Sequence, residues 1–153
     1  MNKLAFLSIF LVIVLTGCKS TGKPRVSYVQ PSANTPSATF IGEESPQKIF
    51  VKGHEYIYIC KVGEGHQSKD SFNTETRIAL GKAKFSVCYL EGGNFSEIPF
   101  EMELKNETTY QLKLGEHQYT KVNFYVVDTQ TGKTIIGPMT VPKDSLFEPV
   151  ILY

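Results

Sequence analysis

Ser96-Glu97-Ile98-Pro99-Phe100-Glu101-Met102-Glu103-Leu104 is the stretch whose reading decides the fold. Ile98, Phe100, Met102 and Leu104 recur at every second position, with Glu97, Glu101 and Glu103 between them. Successive side chains of an extended chain point to opposite faces, so this is a strand with one face in a core and the other in water. Just upstream, Gly92-Gly93-Asn94 is a tight-turn signal. Before it, residues 83–90 are strand-like again, so the two runs form a hairpin.

The same reading extends in both directions. Short runs rich in Val, Ile, Thr, Tyr and Phe are expected as strands at 38–42, 48–52, 55–62, 76–80, 109–114, 120–128, 133–136 and 139–141, with a last edge within 147–153. Gly53-His54, Gly81-Lys82, Lys105-Asn106-Glu107 and Thr129-Gln130-Thr131-Gly132 separate them. The run at 120–128 is apolar in part on both faces (Val122, Phe124 and Val126; Tyr125 and Val127), which marks an interior strand. No window after the first eighteen residues carries a 3.6-residue period. The expected fold is all-β, a small antiparallel sandwich of about seven to nine strands over residues 37–153.

The N-terminus is of another kind. Met1-Asn2-Lys3 is a short basic start, residues 4–15 are apolar apart from Ser8, and Thr16-Gly17 are small. That is the layout of an export signal over residues 1–17. Its apolar run is too short to span a bilayer, which takes about 20 residues. Leu15-Thr16-Gly17-Cys18 then resembles the lipobox of bacterial lipoproteins. The resemblance implies diacylglycerol on the Cys18 sulfur, cleavage before Cys18 and acylation of the new amino group. It places the protein in a bacterial cell envelope, anchored to membrane lipid through Cys18, with the outer membrane favoured in a Gram-negative host because Lys19 rather than Asp follows. Residues 18–36 contain Pro24, Pro31 and Pro36 among Ser, Thr, Gly and Asn, and read as a semi-stiff tether. Val26-Ser27-Tyr28-Val29 alternates and is able to add as an edge strand.

Charge and cysteine count narrow the function classes. The chain has 16 basic and 15 acidic residues, and losing Lys3 with the signal leaves the remainder formally neutral. A neutral chain has no field for nucleic acid. Cys60 and Cys88 remain. With Ile57 and Ile59 inward, Cys60 points outward; with Phe85, Val87 and Tyr89 inward, so does Cys88. Both thiols then share one sheet face, and export permits a disulfide, worth about 3–4 kcal/mol in the chain-entropy model. Two unpaired strand cysteines are the alternative.

Gly81-Lys82-Ala83-Lys84-Phe85-Ser86-Val87-Cys88-Tyr89-Leu90, then Thr109-Tyr110-Gln111-Leu112, then Val126-Val127-Asp128-Thr129-Gln130-Thr131-Gly132-Lys133-Thr134-Ile135, resemble in order and spacing a strand pattern of small envelope lipoproteins with PEGA-like or transthyretin-like domains. Leu80, Ala83 and Asn106-Glu107 depart from that pattern, which usually has proline, histidine and Ala-Gly there. The resemblance implies a small β-sandwich and assigns no catalytic or binding residue.

Chemistry-bearing residues are few. His54, His66 and His117 fall in expected turns or loops; Glu64, His66 and Asp70 share the polar loop from Gly63 to Asn73, where a cation is one reading and a solvated loop the other. Glu97, Glu101 and Glu103 form an acidic stripe, either a solvent face or a dock for a basic partner. Tyr56 and Tyr58 share a face with Cys60, under a loop or open to a glycan or partner. Asn94-Phe95-Ser96 and Asn106-Glu107-Thr108 are formal glycosylation sequons, discounted in a bacterial host. No catalytic motif, cofactor motif or metal-ligand spacing is present. The expectation is a non-enzymatic, lipid-anchored envelope protein with a binding, scaffolding or assembly role and an envelope protein as partner. The alternative is an inhibitor or immunity-type protein acting through the Gly63 to Asn73 loop.

Overall fold

A computed structural model describes residues 25–45, 54–71, 74–116, 120–143 and 150–152. The signal, Cys18, His117 and the strand expected at 48–52 lie outside the described residues.

Among the described residues, twelve strands build two facing sheets. In chain order they are β1 (Val26–Ser27), β2 (Ser37–Ile41), β3 (Glu43–Ser45), β4 (Glu55–Val62), β5 (Gly65–His66), β6 (Thr76–Ala79), β7 (Gly81–Glu91), β8 (Asn94–Leu104), β9 (Thr109–Leu114), β10 (Lys121–Asp128), β11 (Thr134–Pro142) and β12 (Val150–Leu152). One sheet has the order β1-β5-β4-β7-β8-β12, with β3 also on β4; the other runs β11-β10-β9-β2-β6. The expected sandwich is present, but its sheets are mixed. β1–β5, β2–β9 and β8–β12 pair in parallel, and the strands beyond the expected number include the short β1, β3 and β5. Alternation along one strand specifies which face is buried. It does not encode the direction of a neighbour brought in from far along the chain.

The core lies between the sheets. β7 and β8 pair from Gly81↔Leu104 to Glu91↔Asn94, so Phe85, Val87 and Tyr89 share an inner face with Ile98, Phe100 and Leu104. From the other sheet come Phe40, Leu112, Val122, Phe124 and Val126. Phe40–Phe85 (5.1 Å between ring centroids), Phe85–Phe100 (5.7 Å) and an edge-to-face Phe100–Phe124 pair (6.3 Å) form a chain of rings linking the two layers. Leucine- to phenylalanine-sized side chains fully buried in this way each contribute about 1.5–3 kcal/mol of transfer free energy. β10 lies between β9 and β11, the interior position that its two-sided apolar pattern predicts.

The chain changes sheets at Leu80-Gly81, passing from β6 to β7. Gly81 takes φ +108°, a conformation that glycine alone adopts without strain. At Cys60 the β4–β7 register slips: Ile59 pairs with Val87, but Lys61 pairs with Ser86. The extra residue of this bulge is Cys60. Inward positions are therefore Ile57 and Ile59 before it and Val62 after it. The register switches parity within a single strand.

Candidate functional site

The N-terminal arm opens the described part of the chain, at Arg25. Residues 25–36, read from the sequence as tether, run along the sandwich. Val26 and Ser27 pair with Gly65 and His66, and the Tyr28 amide donates to the His66 carbonyl at 2.9 Å. A side chain at position 65 would lie 2.8 Å from the Tyr28 Cα, so the arm's approach requires Gly65. The arm then wraps around β6, whose inner edge pairs with β2. On the free edge, the Gln30 carboxamide acts as a strand partner. Its Nε2 donates to the Glu75 carbonyl at 2.8 Å and its Oε1 accepts from the Arg77 amide at 3.1 Å. The Tyr28 hydroxyl donates to the Arg77 carbonyl at 2.7 Å, and burial raises its pKa, against the opposing field of Arg77.

Arg77 closes the wrap. Its guanidinium donates to the carbonyls of Pro31 (3.2 Å), Ser32 (3.0 Å), Ala33 (3.4 Å) and Thr35 (2.9 Å). The planar five-donor fork suits several carbonyls converging on one turn. The turn itself is tied by the Thr35 amide donating to the Ser32 carbonyl at 2.9 Å and by the two hydroxyls at 2.8 Å. Beside it lies an open polar groove of about 400 Å³, reached by Thr35, Ser37, Thr39, Arg77, Glu107 and Thr109.

The outer face of β4 and β7 carries the cysteines. Cys60 and Cys88 are disulfide-bonded with Cα atoms 5.6 Å apart. Tyr58 is the direct partner of Cys88 across the ladder, and Cys60, two residues on, shares their face. Tyr58 is buried with the two cysteines, Tyr56 packs beside them, and the segment after Gly63 returns over them. β5 pairs back onto β4, the Gln67 amide donates to the Cys60 carbonyl at 2.8 Å, and a 3-10 turn at Lys69–Ser71 puts the Lys69 ammonium 5.8 Å from the Tyr56 ring. Burial raises the Tyr58 phenol's pKa, with Asp70 and Glu97 adding to the effect. Asp70 accepts from Ser68 Oγ at 3.0 Å and pairs with Lys69 at 3.4 Å, while His66 sits in β5. No group of three His, Cys, Asp or Glu among the described residues is placed to hold a metal ion. His54 pairs with Glu44 and stacks on Tyr56.

The acidic stripe of β8 is matched locally. Glu97 accepts from Ser86 Oγ at 2.8 Å, Glu101 pairs with Lys84 at 3.2 Å, and Glu103 lies 3.5 Å from Lys105. The two lysines offset the charge of Glu101 and Glu103, and Glu97 is hydrogen-bonded.

A second polar cluster was not legible in the sequence. Glu55 and Glu91 are direct partners on β4 and β7, and both are buried. The fully buried Tyr89 hydroxyl donates to Glu91 at 3.0 Å and lies 3.4 Å from Glu55. Lys143, at the end of β11, forms an ion pair with Glu91 and lies over the Tyr89 ring. Burial, reinforced by the two carboxylates, pushes the Tyr89 phenol far above its ordinary range. Burial opposes ionisation of Glu91, but the Lys143 ammonium and the Tyr89 hydroxyl, both donating to it, outweigh the burial and hold that carboxyl below its usual range. Strand-end glutamates read as solvent-facing. The chain returns to them at Pro142-Lys143, where Ser96 Oγ donates to the Pro142 carbonyl at 3.0 Å and Lys143 meets Glu91.

Comparison with family models, curated proteins and solved structures finds no match for this chain. Among the described residues no helix is long and apolar enough to cross a membrane.

Proposed function

We propose that this is a lipid-anchored protein of the bacterial cell envelope, held through Cys18, with a non-catalytic binding, scaffolding or assembly role. The observation that carries the reading is the arm. A chain that leaves a lipobox and is then locked by Arg77, Gln30 and Tyr28 onto the sandwich transmits the anchor's position directly to a rigid domain. The strand-turn-strand resemblance to PEGA-like and transthyretin-like envelope lipoproteins supports the same role. The buried carboxylates Glu55 and Glu91 are engaged by Tyr89 and Lys143, an arrangement that suits holding the fold more than turning over a substrate.

The anchor is tested by Cys18→Ser. The variant is expected in the soluble fraction after cell breakage, whereas the native chain sediments with membranes and needs detergent for release. A Cys18→Ser chain that stays with the membranes removes the reading. The partner role is tested by crosslinking in intact cells followed by pull-down of the native anchored form. Recovery of a defined envelope protein is the expected result, and a chain that crosslinks to nothing counts against it.

A further inference from the structure

The arm bonds to β6 through Tyr28 and Gln30 and leaves its two valines open. Val26 is 63% exposed and Val29 is 85% exposed, the two most open large hydrophobic side chains among the described residues. A single exposed valine is ordinary on a protein surface, but two within four residues of a bonded arm are placed to meet something apolar. Two features of the chain identify that contact. Seven residue steps separate Cys18 from Arg25, so whatever the conformation between them, Arg25 stays within about 25 Å of the lipidated residue. Between Cys18 and Gly42 the only charged residues are Lys19, Lys23 and Arg25, all basic. Basic residues beside short apolar side chains suit the headgroup layer of an anionic membrane.

We infer that the arm-bearing edge of the sandwich lies against the bilayer, with Val26 and Val29 at the acyl boundary and Arg25 among anionic headgroups; this rests on the lipid-anchor reading of Cys18. The anchor then fixes an orientation as well as a location. The opposite side, carrying β11 and β12, faces away from the membrane. Because the arm is bonded to both the β5 and β6 edges, it stays on the sandwich and turns with it.

The chain contains no tryptophan, so each substitution creates a single reporter. Val26→Trp, Val29→Trp and, on β11, Thr140→Trp are made in the full lipidated chain and reconstituted into vesicles of phosphatidylcholine and phosphatidylglycerol with brominated acyl chains. Circular dichroism checks that each variant keeps the native strand signal. Val26→Trp and Val29→Trp are expected to show blue-shifted emission and several-fold stronger bromine quenching than Thr140→Trp, with the contrast weakening when phosphatidylglycerol is omitted. Equal quenching at the three positions, in chains that float with the vesicles, overturns the orientation and leaves the anchor standing. Chains that do not float overturn the anchor, and the orientation with it.

Discussion

Arg77 reaches back 42 residues to Thr35, and Lys143 reaches back 52 residues to Glu91. Both cations fasten distant segments, but to partners of different kinds. Arg77 sits partly exposed and, among the described residues, binds neutral carbonyls of the arm. Lys143 is almost fully buried and binds a carboxylate that is hydrogen-bonded to a buried phenol. The first bond set loses little when water replaces it. The second leaves a charge stranded in a poorly solvated site when either member is removed. The two fastenings therefore differ in strength, in response to pH and in what their loss releases. Arg77 holds the arm, and Lys143 holds the end of β11 to Glu91 of β7.

The most damaging way to break this comparison is Lys143→Ala. It leaves Glu91 buried without its cation, so a loss of about 3–5 kcal/mol is expected, measured by urea unfolding monitored by circular dichroism. Lys143→Met, which keeps the volume and removes the charge, should cost about as much as Lys143→Ala if the stranded carboxylate dominates. A much milder Lys143→Met would mean that packing over the Tyr89 ring matters more.

Arg77→Ala comes next, at about 1–2 kcal/mol, since its hydrogen bonds are charge-assisted but partly open to solvent. Its more telling readout is local. Limited proteolysis should cut between residues 28 and 36 many times faster than in the native chain, while the sandwich stays intact. Unchanged cleavage would show that β1 and Gln30 hold the arm without the guanidinium.

These two fastenings also mark where the sequence was legible. The alternation of Ile98, Phe100, Met102 and Leu104 carried the burial of β8 directly, because a period of two needs only neighbours. The disulfide partners were reachable by the same parity rule. It held because the register change at Cys60 comes after Tyr58 and leaves Cys60 itself on the outer face. Glu55 and Glu91 read as ordinary polar strand ends, since nothing nearby in sequence announces Lys143. The composition of residues 25–36 reads as spacer because its order comes from β6, more than 40 residues away. Periodicity records which side of a strand is buried, and it carries no trace of a contact made by a single distant side chain.

The pH response separates the fastenings with a smaller effect. Glu91 titrates below its ordinary range in the folded chain, so its contribution is present above the unfolded carboxyl value of about 4.3 and is lost as pH falls through the folded one. Melting temperature should fall on acidification below about pH 5, and Glu91→Gln should flatten that limb while lowering stability at neutral pH. The Arg77 lock has no titrating acceptor, so the slow cleavage of residues 28–36 should persist through the same range for as long as the sandwich stays folded. Arm release at a pH where the strands remain native would show that the two regions are coupled.

The smallest expected effect tests the side-chain amide that stands in for a strand. Gln30 gives β6 one acceptor and one donor, at 3.1 and 2.8 Å, in an exposed position. Water can replace both, so Gln30→Ala should cost only about 0.5–1 kcal/mol globally, near the limit of an unfolding curve. Amide exchange is the sharper probe, because the Arg77 N–H has Gln30 Oε1 as its acceptor. In Gln30→Ala that one amide should exchange markedly faster, while the Ile78 amide, on a residue paired with Ala38, keeps its protection. Gln30→Glu divides the two bonds. A carboxylate still accepts from the Arg77 amide but cannot donate to the Glu75 carbonyl, so Arg77 protection should be largely retained. If Gln30→Ala leaves the Arg77 amide as protected as in the native chain, the free edge of β6 is closed by the Tyr28 and Arg77 contacts alone, and the carboxamide is an accessory to the lock.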